Sequence, residues 1–482
     1  MKLIHLLKGA AVREAHADTE MEITGVSYDS RTTEKGDVFV AVRGYESDGH
    51  HYIKAAAANG AACVLCEEKP DIDIPYVLLD NTRRGLATVA SNWYNSSSSD
   101  MKIIGVTGTN GKTTTTNLIK TVIEKCSGAK VGLIGTNHNM IGDRIIETVH
   151  TTPESYELQK LFREMADSGC TYVVMEVSSH ALFLDRVYGV RFETGVFTNL
   201  THDHLDFHKT MEDYAAAKAI LMAQSNHAVV NLDDPYAGMM TAAAAGSVLT
   251  FSADNDSADL VAKRIRTMAD KVEFCALTLE QLQKIEVNIP ARFTIYNALA
   301  TLGVGLTLGF TLEDMAEALK SYPGVKGRVE VVPTGRDFTV IIDYAHSPDA
   351  LEKIIGTFRE LEAGRVVTLF GCGGDRDATK RPEMGEIAGR LSDFVIVTSD
   401  NPRTEEPGKI IDDILSGMKD TKTPYIVIEN RREAIGWALQ NAQPGDIIIL
   451  AGKGHETYQI IGREKNHFDE REIVGDFLRT IK

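Results

Sequence analysis

Six cysteines, at positions 63, 66, 126, 170, 275 and 372 of 482, are too few and too scattered to staple a fold. That excludes a disulfide scaffold and fits a reducing compartment. Cys63-Val-Leu-Cys66 has CxxC spacing, but no second CxxC or CxxH follows. Its context, "AACVLCEE", reads as a buried strand rather than a metal or redox centre. Positive charge is short as well: 51 Lys and Arg stand against 68 Asp and Glu, a formal net charge of −17. A chain this acidic is a poor general binder of nucleic acid or anionic membrane, so neither is expected as a partner. An anionic ligand has to be held by local basic pockets, helix N-termini or metal ions. Long apolar runs are missing: none approaches the ~18 residues of a membrane span. The N-terminus, "MKLIHLLKGAAVREAHADTE", acquires charge too early for a secretion signal. The expectation is a soluble, cytoplasmic, monomeric protein, with no repeat of solenoid period.

What is present is ordinary globular material, 43% hydrophobic and 25% charged. At roughly 100–200 residues per domain, the length implies about three domains. Two composition breaks divide the chain: the Ser-rich "NSSSSD" (95–100), read as a linker, and "YPGVKGR" (322–328). The resulting segments are 1–98, 99–328 and 329–482. In the first, "GDVFVAV" reads as a strand and "YIKAAAANGAACVL" as a helix stopped at Asn59-Gly60 before another strand. In the second, "KIIGVTG", "KVGLIGT", "YVVMEVSS", "TGVFTNL" and "HAVVNLDD" are apolar runs without alternation, as strands are when helices cover both faces of a parallel sheet. Helices over about 291–309 and 312–321 close it. In the third, "FTVIIDYA", "RVVTLFG", "DFVIVTSD", "YIVIEN" and "DIIILAG" alternate with amphipathic stretches. The fold class is α/β throughout: a small N-terminal unit, a central P-loop-type parallel-sheet unit and a C-terminal Rossmann-like, doubly wound sheet.

The chemistry starts at "GVTGTNGKTTTT" (105–116). The usual phosphate loop, GxxxxGK[ST], would need Gly at 106, where Val stands; the glycines fall at 105, 108 and 111. The parts of a phosphate cradle remain. Gly108, Thr109, Asn110 and Gly111 lead from a strand into a helix N-terminus, whose N–H groups point at phosphate oxygens. Lys112 adds a point charge, the Thr113 hydroxyl can ligate Mg²⁺, and Thr114 follows in the first turn. An NTPase, a kinase and a ligase could all use this loop.

Downstream, "LTHDHLDFH" (200–208) crowds three His and two Asp into nine residues, and Glu176 ends a strand where P-loop proteins place acidic metal ligands. The spacing matches no zinc motif; a Mg²⁺-type site with oxygen ligands and one imidazole suits it better. His204 reads as that ligand, His202 and His208 as surface or supporting residues. Lys218, inside the Ala-rich "YAAAKAIL", reads on its own as a helix lysine snorkelling to solvent.

Taken in order, "GVTGTNGKTTT", "MEVSSHAL", "NLTHDHLDFH", "YAAAKAIL", "FTIYNALA", "GVKGRVE", "DYAHSPDAL", "GCGGDRDATKRP", "SDNPRTEEP" and "LAGKGHETYQ" resemble the Mur ligase family over nearly the whole chain. These are ATP-dependent amide ligases of peptidoglycan precursor synthesis. The resemblance implies a UDP-binding, an ATP-binding and an amino-acid-binding domain. It implies ATP and Mg²⁺ as cofactors, and phosphorylation of a substrate carboxylate followed by amine attack. For Lys218 it implies carbamylation by CO₂, giving an anion that with Glu176 and His204 holds a second Mg²⁺, while Thr113 and Glu176 hold the ATP-linked one. A lysine of depressed pKa is neutral often enough for that. It further implies nucleotide contacts from Asn297, Arg328, Asp343 and His346. UDP-MurNAc-L-Ala-D-Glu contacts are implied at Ser30, Thr151, Thr152, Ser178 and Arg186. Ser30, Thr151 and Thr152 also fit plain capping or turn roles.

The amino acid to be added is read from "DNPR". Meso-diaminopimelate carries a second carboxylate, which a guanidinium grips with two parallel hydrogen bonds. Arg403 is placed for this, with Arg376, Asp400 and Asn401 nearby, Glu456 to accept an ammonium and Gly452 to let backbone approach. The competing reading pairs Arg403 with Glu405 or Glu406 in a solvated turn. Alternatives at the level of function are the same reaction with L-lysine, a folylpolyglutamate-type ligase, and an ATP-gated binding protein.

Overall fold

Three large β-sheets and one two-stranded sheet carry the described residues, and the large ones are built mainly from the apolar runs just described. The computed structural model describes residues 1–480 apart from 45–46, 149, 202 and 362–363. Residues 1–261 with 299–315 form one compact unit, and 262–298 with 316–482 a second.

The first unit begins with a five-stranded sheet, in order Val12–His16, Tyr76–Leu79, Cys63–Cys66, Asp37–Val40 and Gly25–Ser27. The Val12–His16 strand runs antiparallel and the others are parallel. Cys63 and Cys66 lie fully buried in this sheet as free thiols. Burial pushes them up to about 12 and about 11, so neither is a reactive thiolate near neutrality.

The same unit holds the phosphate-loop sheet. Its parallel strands run in the order Ser247–Ser252, Ser225–Asn231, Phe192–Phe197, Lys102–Thr107, Tyr172–Glu176 and Val131–Ile134. Ile103, Ile104, Val106, Val173, Val174, Val196, Phe197, Val229 and Val230 are fully buried, as a sheet covered on both faces requires. Lys102–Thr107 lies in the middle of this sheet, and the chain leaves its C-terminal end directly into the glycine loop. That is where open parallel sheets place ligands.

The "NSSSSD" tract is not the free linker its composition suggests. Ser97 is fully buried, 97–100 form a single 3₁₀ turn, and the Ser97 hydroxyl bonds the Tyr94 carbonyl and accepts from Arg163. Small hydroxyl side chains satisfy themselves on nearby backbone, and this lets a polar tract pack.

In the second unit, six strands run in the order Glu330–Val332, Thr339–Asp343, Ile447–Ala451, Val366–Phe370, Phe394–Val397 and Tyr425–Val427. All are parallel except the first. Two antiparallel hairpins were not anticipated: Val272–Leu277 with Leu282–Val287, and Tyr458–Ile461 with Glu464–His467. Among the described residues no helix is long and apolar enough to cross a membrane.

Candidate active site

In the first unit the glycine loop is clamped from one side by the segment that follows Phe192–Phe197. Thr198 Oγ1 donates to the Asn110 carbonyl at 2.7 Å, and Thr109 N–H donates to the Asn199 carbonyl at 2.8 Å. Asn110 N–H donates to Asn199 Oδ1 at 3.0 Å. Gly108 has φ +148°, and a Cβ there would lie 1.9 Å from Thr198 Oγ1; no other residue fits. Gly111, at φ +85°, turns the chain into the helix Lys112–Ser127. The Lys112 ammonium bonds the Gly108 and Thr109 carbonyls at 3.0 and 2.9 Å, so the cation lies across the loop. Thr114 is buried in the first helical turn.

Thr113 and Glu176 meet as expected. The Thr113 hydroxyl donates to Glu176 Oε1 at 3.0 Å. Thr136 adds its N–H to Oε1 at 2.9 Å and its hydroxyl to Oε2 at 3.0 Å. Glu176 is only 1% exposed. A buried carboxylate fixed beside the hydroxyl that follows the loop lysine is a donor set suited to a hard cation such as Mg²⁺.

Lys218 does not snorkel. It is 1% exposed on the helix Met211–Ala223, with Nζ 4.4 Å from the centre of the Tyr214 ring. Among the described residues it makes no ion pair. Burial, reinforced by the Lys112 charge, drives its pKa well below the ordinary lysine value. Both effects favour the neutral amine, the form that reacts with CO₂. Tyr214, which the sequence did not single out, links this lysine to the phosphate loop through its hydroxyl, 3.2 Å from Thr109 Oγ1.

His204 has a left-handed backbone, φ +53°, and a half-exposed side chain that packs edge-on against His180 at 4.9 Å. A non-glycine residue in that conformation stores strain, as functional positions often do. No three His, Cys, Asp or Glu side chains among the described residues form a ready-made metal centre. His202 lies outside the described residues.

His208 is not a surface residue. It is 4% exposed, stacked on Tyr214 at 5.0 Å, with Nε2 2.9 Å from Ser179 Oγ. Burial, with His180, Lys218 and His204 nearby, pulls its pKa from 6.5 to about 4. The unfolded chain takes up this proton near pH 6.5 and the folded chain only near pH 4. The stabilisation is complete above about 6.5 and is lost as pH falls towards 4. The thermal unfolding midpoint should drop across that window, and less steeply in His208→Gln. Equal slopes in the two proteins would contradict the assignment.

Of the residues read as substrate contacts, Thr151, Thr152, Ser178 and Arg186 gather beside Glu176. Thr152 Oγ1 donates to the Glu176 carbonyl at 2.9 Å and accepts from Ser178 N–H at 3.1 Å. Thr151 and Thr136 share a hydroxyl contact at 3.0 Å. The Ser178 hydroxyl caps the helix Ser179–Phe183. Arg186 donates to the Thr152 carbonyl at 3.1 Å and lies 3.4 Å from Glu154. Glu154 also faces Arg83 on the helix Thr82–Trp93, at 3.6 Å, so it joins that helix to this cluster; nothing in its sequence context marked it. Ser30 is buried, its carbonyl held by Asn59.

In the second unit, Asp343 accepts from the Val329 and Ala345 N–H groups, both at 2.8 Å. The Arg328 guanidinium lies 5.1 Å over the Tyr344 ring, and His346 packs against the same ring at 4.6 Å. Asn297 is buried on the helix Arg292–Thr307. Arg328, Asp343 and His346 thus cluster as expected.

The DNPR turn is built against the Tyr458–Ile461 hairpin. Arg403 N–H donates to the Ile460 carbonyl at 3.1 Å, and Gly462 N–H donates back to the Arg403 carbonyl at 2.7 Å. Gln459 donates to the Asp400 carbonyl at 2.6 Å. These bonds hold Arg403 at φ +52°. Its guanidinium donates to the Gly374 carbonyl at 2.7 Å. It forms no ion pair with Glu405 or Glu406. Glu405 is taken by the buried Arg381 at 2.9 Å, and Glu406 by Lys409 at 3.6 Å. Arg376 is exposed on the adjoining Gly-rich turn. Gly452, at φ +112°, passes so close to Asp400 that a Cβ would sit 2.7 Å from its carboxylate. Asn401 donates to Glu456 Oε2 at 2.9 Å. Lys453, fully buried between two glycines, was passed over in the sequence although "GKGHE" contains it.

Known proteins match this chain over nearly its whole length. Residues 22–109 match the Mur ligase family catalytic domain, 106–305 the Mur ligase middle domain, and 327–454 the Mur ligase glutamate ligase domain. The UDP-N-acetylmuramoyl-L-alanyl-D-glutamate--2,6-diaminopimelate ligase of Caldanaerobacter subterraneus subsp. tengcongensis is 49% identical over 483 residues, covering 99% of each chain. The protein of the same name from Clostridium botulinum is 46% identical, covering 96% of this chain and 97% of its own. A solved structure of a ligase of that name superposes with a TM-score of 0.77 at 32% identity, covering 100% of this chain and 99% of its own. With three Mur ligase models matched over residues 22–109, 106–305 and 327–454, and relatives this similar over their full length, the chain belongs to the Mur ligase family.

Proposed function

We propose that this ligase joins meso-2,6-diaminopimelate to the D-Glu of UDP-MurNAc-L-Ala-D-Glu, converting ATP to ADP and phosphate. The full-length 49% identity to a ligase named for that reaction carries the reading. The DNPR turn, with Arg403 unpaired with Glu405 and Glu406, favours diaminopimelate over L-lysine. In the first unit the loop N–H groups and Lys112 bind the phosphates. A substrate carboxylate oxygen attacks the γ-phosphorus, and the bond to ADP breaks. The incoming amine then attacks the acyl carbon and loses a proton as phosphate leaves. Thr113, Glu176, His204 and a carbamylated Lys218 would hold Mg²⁺, which when bound offsets repulsion between carboxylate and triphosphate. The carbamate forms when the Lys218 amine attacks CO₂ and releases a proton; burial of the amine, with no ion pair among the described residues, supports this. Thr151, Thr152, Ser178, Arg186 and Ser30 are proposed to hold the UDP-muramyl dipeptide, and Asn297, Arg328, Asp343 and His346 the nucleotide. Segments 1–98, 99–328 and 329–482 would serve UDP, ATP and amino acid respectively, in a monomer.

The acyl phosphate is testable by trapping. With UDP-MurNAc-L-Ala-D-Glu, ATP, Mg²⁺ and hydroxylamine, but no amino acid, a hydroxamate of the peptide should form. ADP release with no hydroxamate would argue against a phosphorylated carboxylate.

A further inference from the structure

Lys453 is fully buried, yet it carries no assigned role. Its ammonium lies 3.0 Å from Glu456 Oε2, 3.2 Å from Asn401 Oδ1 and 3.5 Å from Asp400 Oδ1. It therefore touches three of the residues proposed to recognise the amino acid. Most of the Asn401 amide is engaged by this arrangement: Oδ1 accepts from Lys453 and Ile460 N–H, and Nδ2 donates one of its two N–H groups to Glu456 Oε2 at 2.9 Å. Both donors to Glu456 converge on Oε2. Among the described residues, Oε1 accepts no hydrogen bond, and the side chain keeps 13% exposure.

We infer that Lys453 is a positioning residue for amino-acid recognition: it fixes Glu456 through Oε2, so that Oε1 is presented to the ammonium of the incoming substrate. This rests on the proposed diaminopimelate-ligase reading. A carboxylate with one oxygen tied down and the other open has one direction in which to accept. Lys453 also offsets part of the charge of two buried carboxylates that would otherwise repel each other. Asn401, read from the sequence as a ligand contact, then acts mainly as the second peg on the same oxygen.

The test is a double-mutant cycle on Lys453→Met and Glu456→Gln, with KM measured for amino acid, ATP and UDP-muramyl dipeptide. Lys453→Met should raise the KM for the amino acid about tenfold or more while the other two KM values stay within about twofold. In the Glu456→Gln background, adding Lys453→Met should change the amino-acid KM by less than about twofold, because the carboxylate it orients is gone. Equal steps in both backgrounds would overturn the inference, as would parallel shifts in all three KM values, the mark of a merely structural lysine. If Lys453→Met alone is insoluble, Glu456→Gln and the double variant, which removes both charges together, give the deciding comparison. Wild-type protein that ignores diaminopimelate would defeat the functional reading instead, and the cycle would then be read with the amino acid it does use.

Discussion

Lys218→Ala should leave no more than about one per cent of ligase activity, since losing one preorganised electrostatic group at a reacting centre typically costs 10²–10³ in rate. The structure makes this sharper than the sequence could. The amine is 1% exposed, has no ion pair among the described residues and is pushed towards the neutral form by burial and Lys112. As a cation this buried lysine has, among the described residues, only the Tyr214 ring and the more distant Asp203 charge to offset its desolvation. As a carbamate it becomes an anion near the loop that carries Lys112 and Thr113. Chloride or formate should rescue the variant little. Isotope-labelled carbon dioxide should label the wild-type protein and not the variant. Wild-type rates in Lys218→Ala would sink the carbamate role.

Arg403→Ala should lower kcat/KM for diaminopimelate by roughly a hundredfold or more, because truncating one partner of a buried charge pair costs about 2–5 kcal/mol. The turn that carries Arg403 is fastened by backbone bonds to the Tyr458–Ile461 hairpin, so the loss should fall on binding of the amino acid rather than on folding. Arg403→Lys should recover little, since an ammonium cannot make two parallel bonds to a carboxylate. Hydroxamate trapping, which needs no amino acid, should stay close to wild type. An unchanged apparent affinity for diaminopimelate would rule the assignment out.

Much of this was legible from residues alone. Buried parallel strands announce themselves as apolar runs, and the helix N-terminus after Gly111 is set by local geometry, so sheet and phosphate loop were readable. Four strands between 247 and 287 were not, because they are partly exposed and several alternate with polar residues. The Ser-rich tract misled because Ser97 is satisfied by local backbone and by Arg163, which lies far along the chain. Lys218 and His208 shared the same obstacle. Their burial is decided by contacts with Tyr214, Thr109 and Ser179 that only the folded chain brings together. Lys453 was hidden for a related reason: its partners at 400 and 401 lie some fifty residues earlier in the sequence.

The most direct measurement is a paired assay. Purified protein receives UDP-MurNAc-L-Ala-D-Glu, ATP and Mg²⁺, with either meso-diaminopimelate or L-lysine, and product mass is followed beside phosphate release. The account predicts a tripeptide product with diaminopimelate and little or none with lysine. A lysine product would keep the acyl-phosphate chemistry and contradict the role given to Arg403. Phosphate release with no peptide product in either tube would contradict the ligase itself.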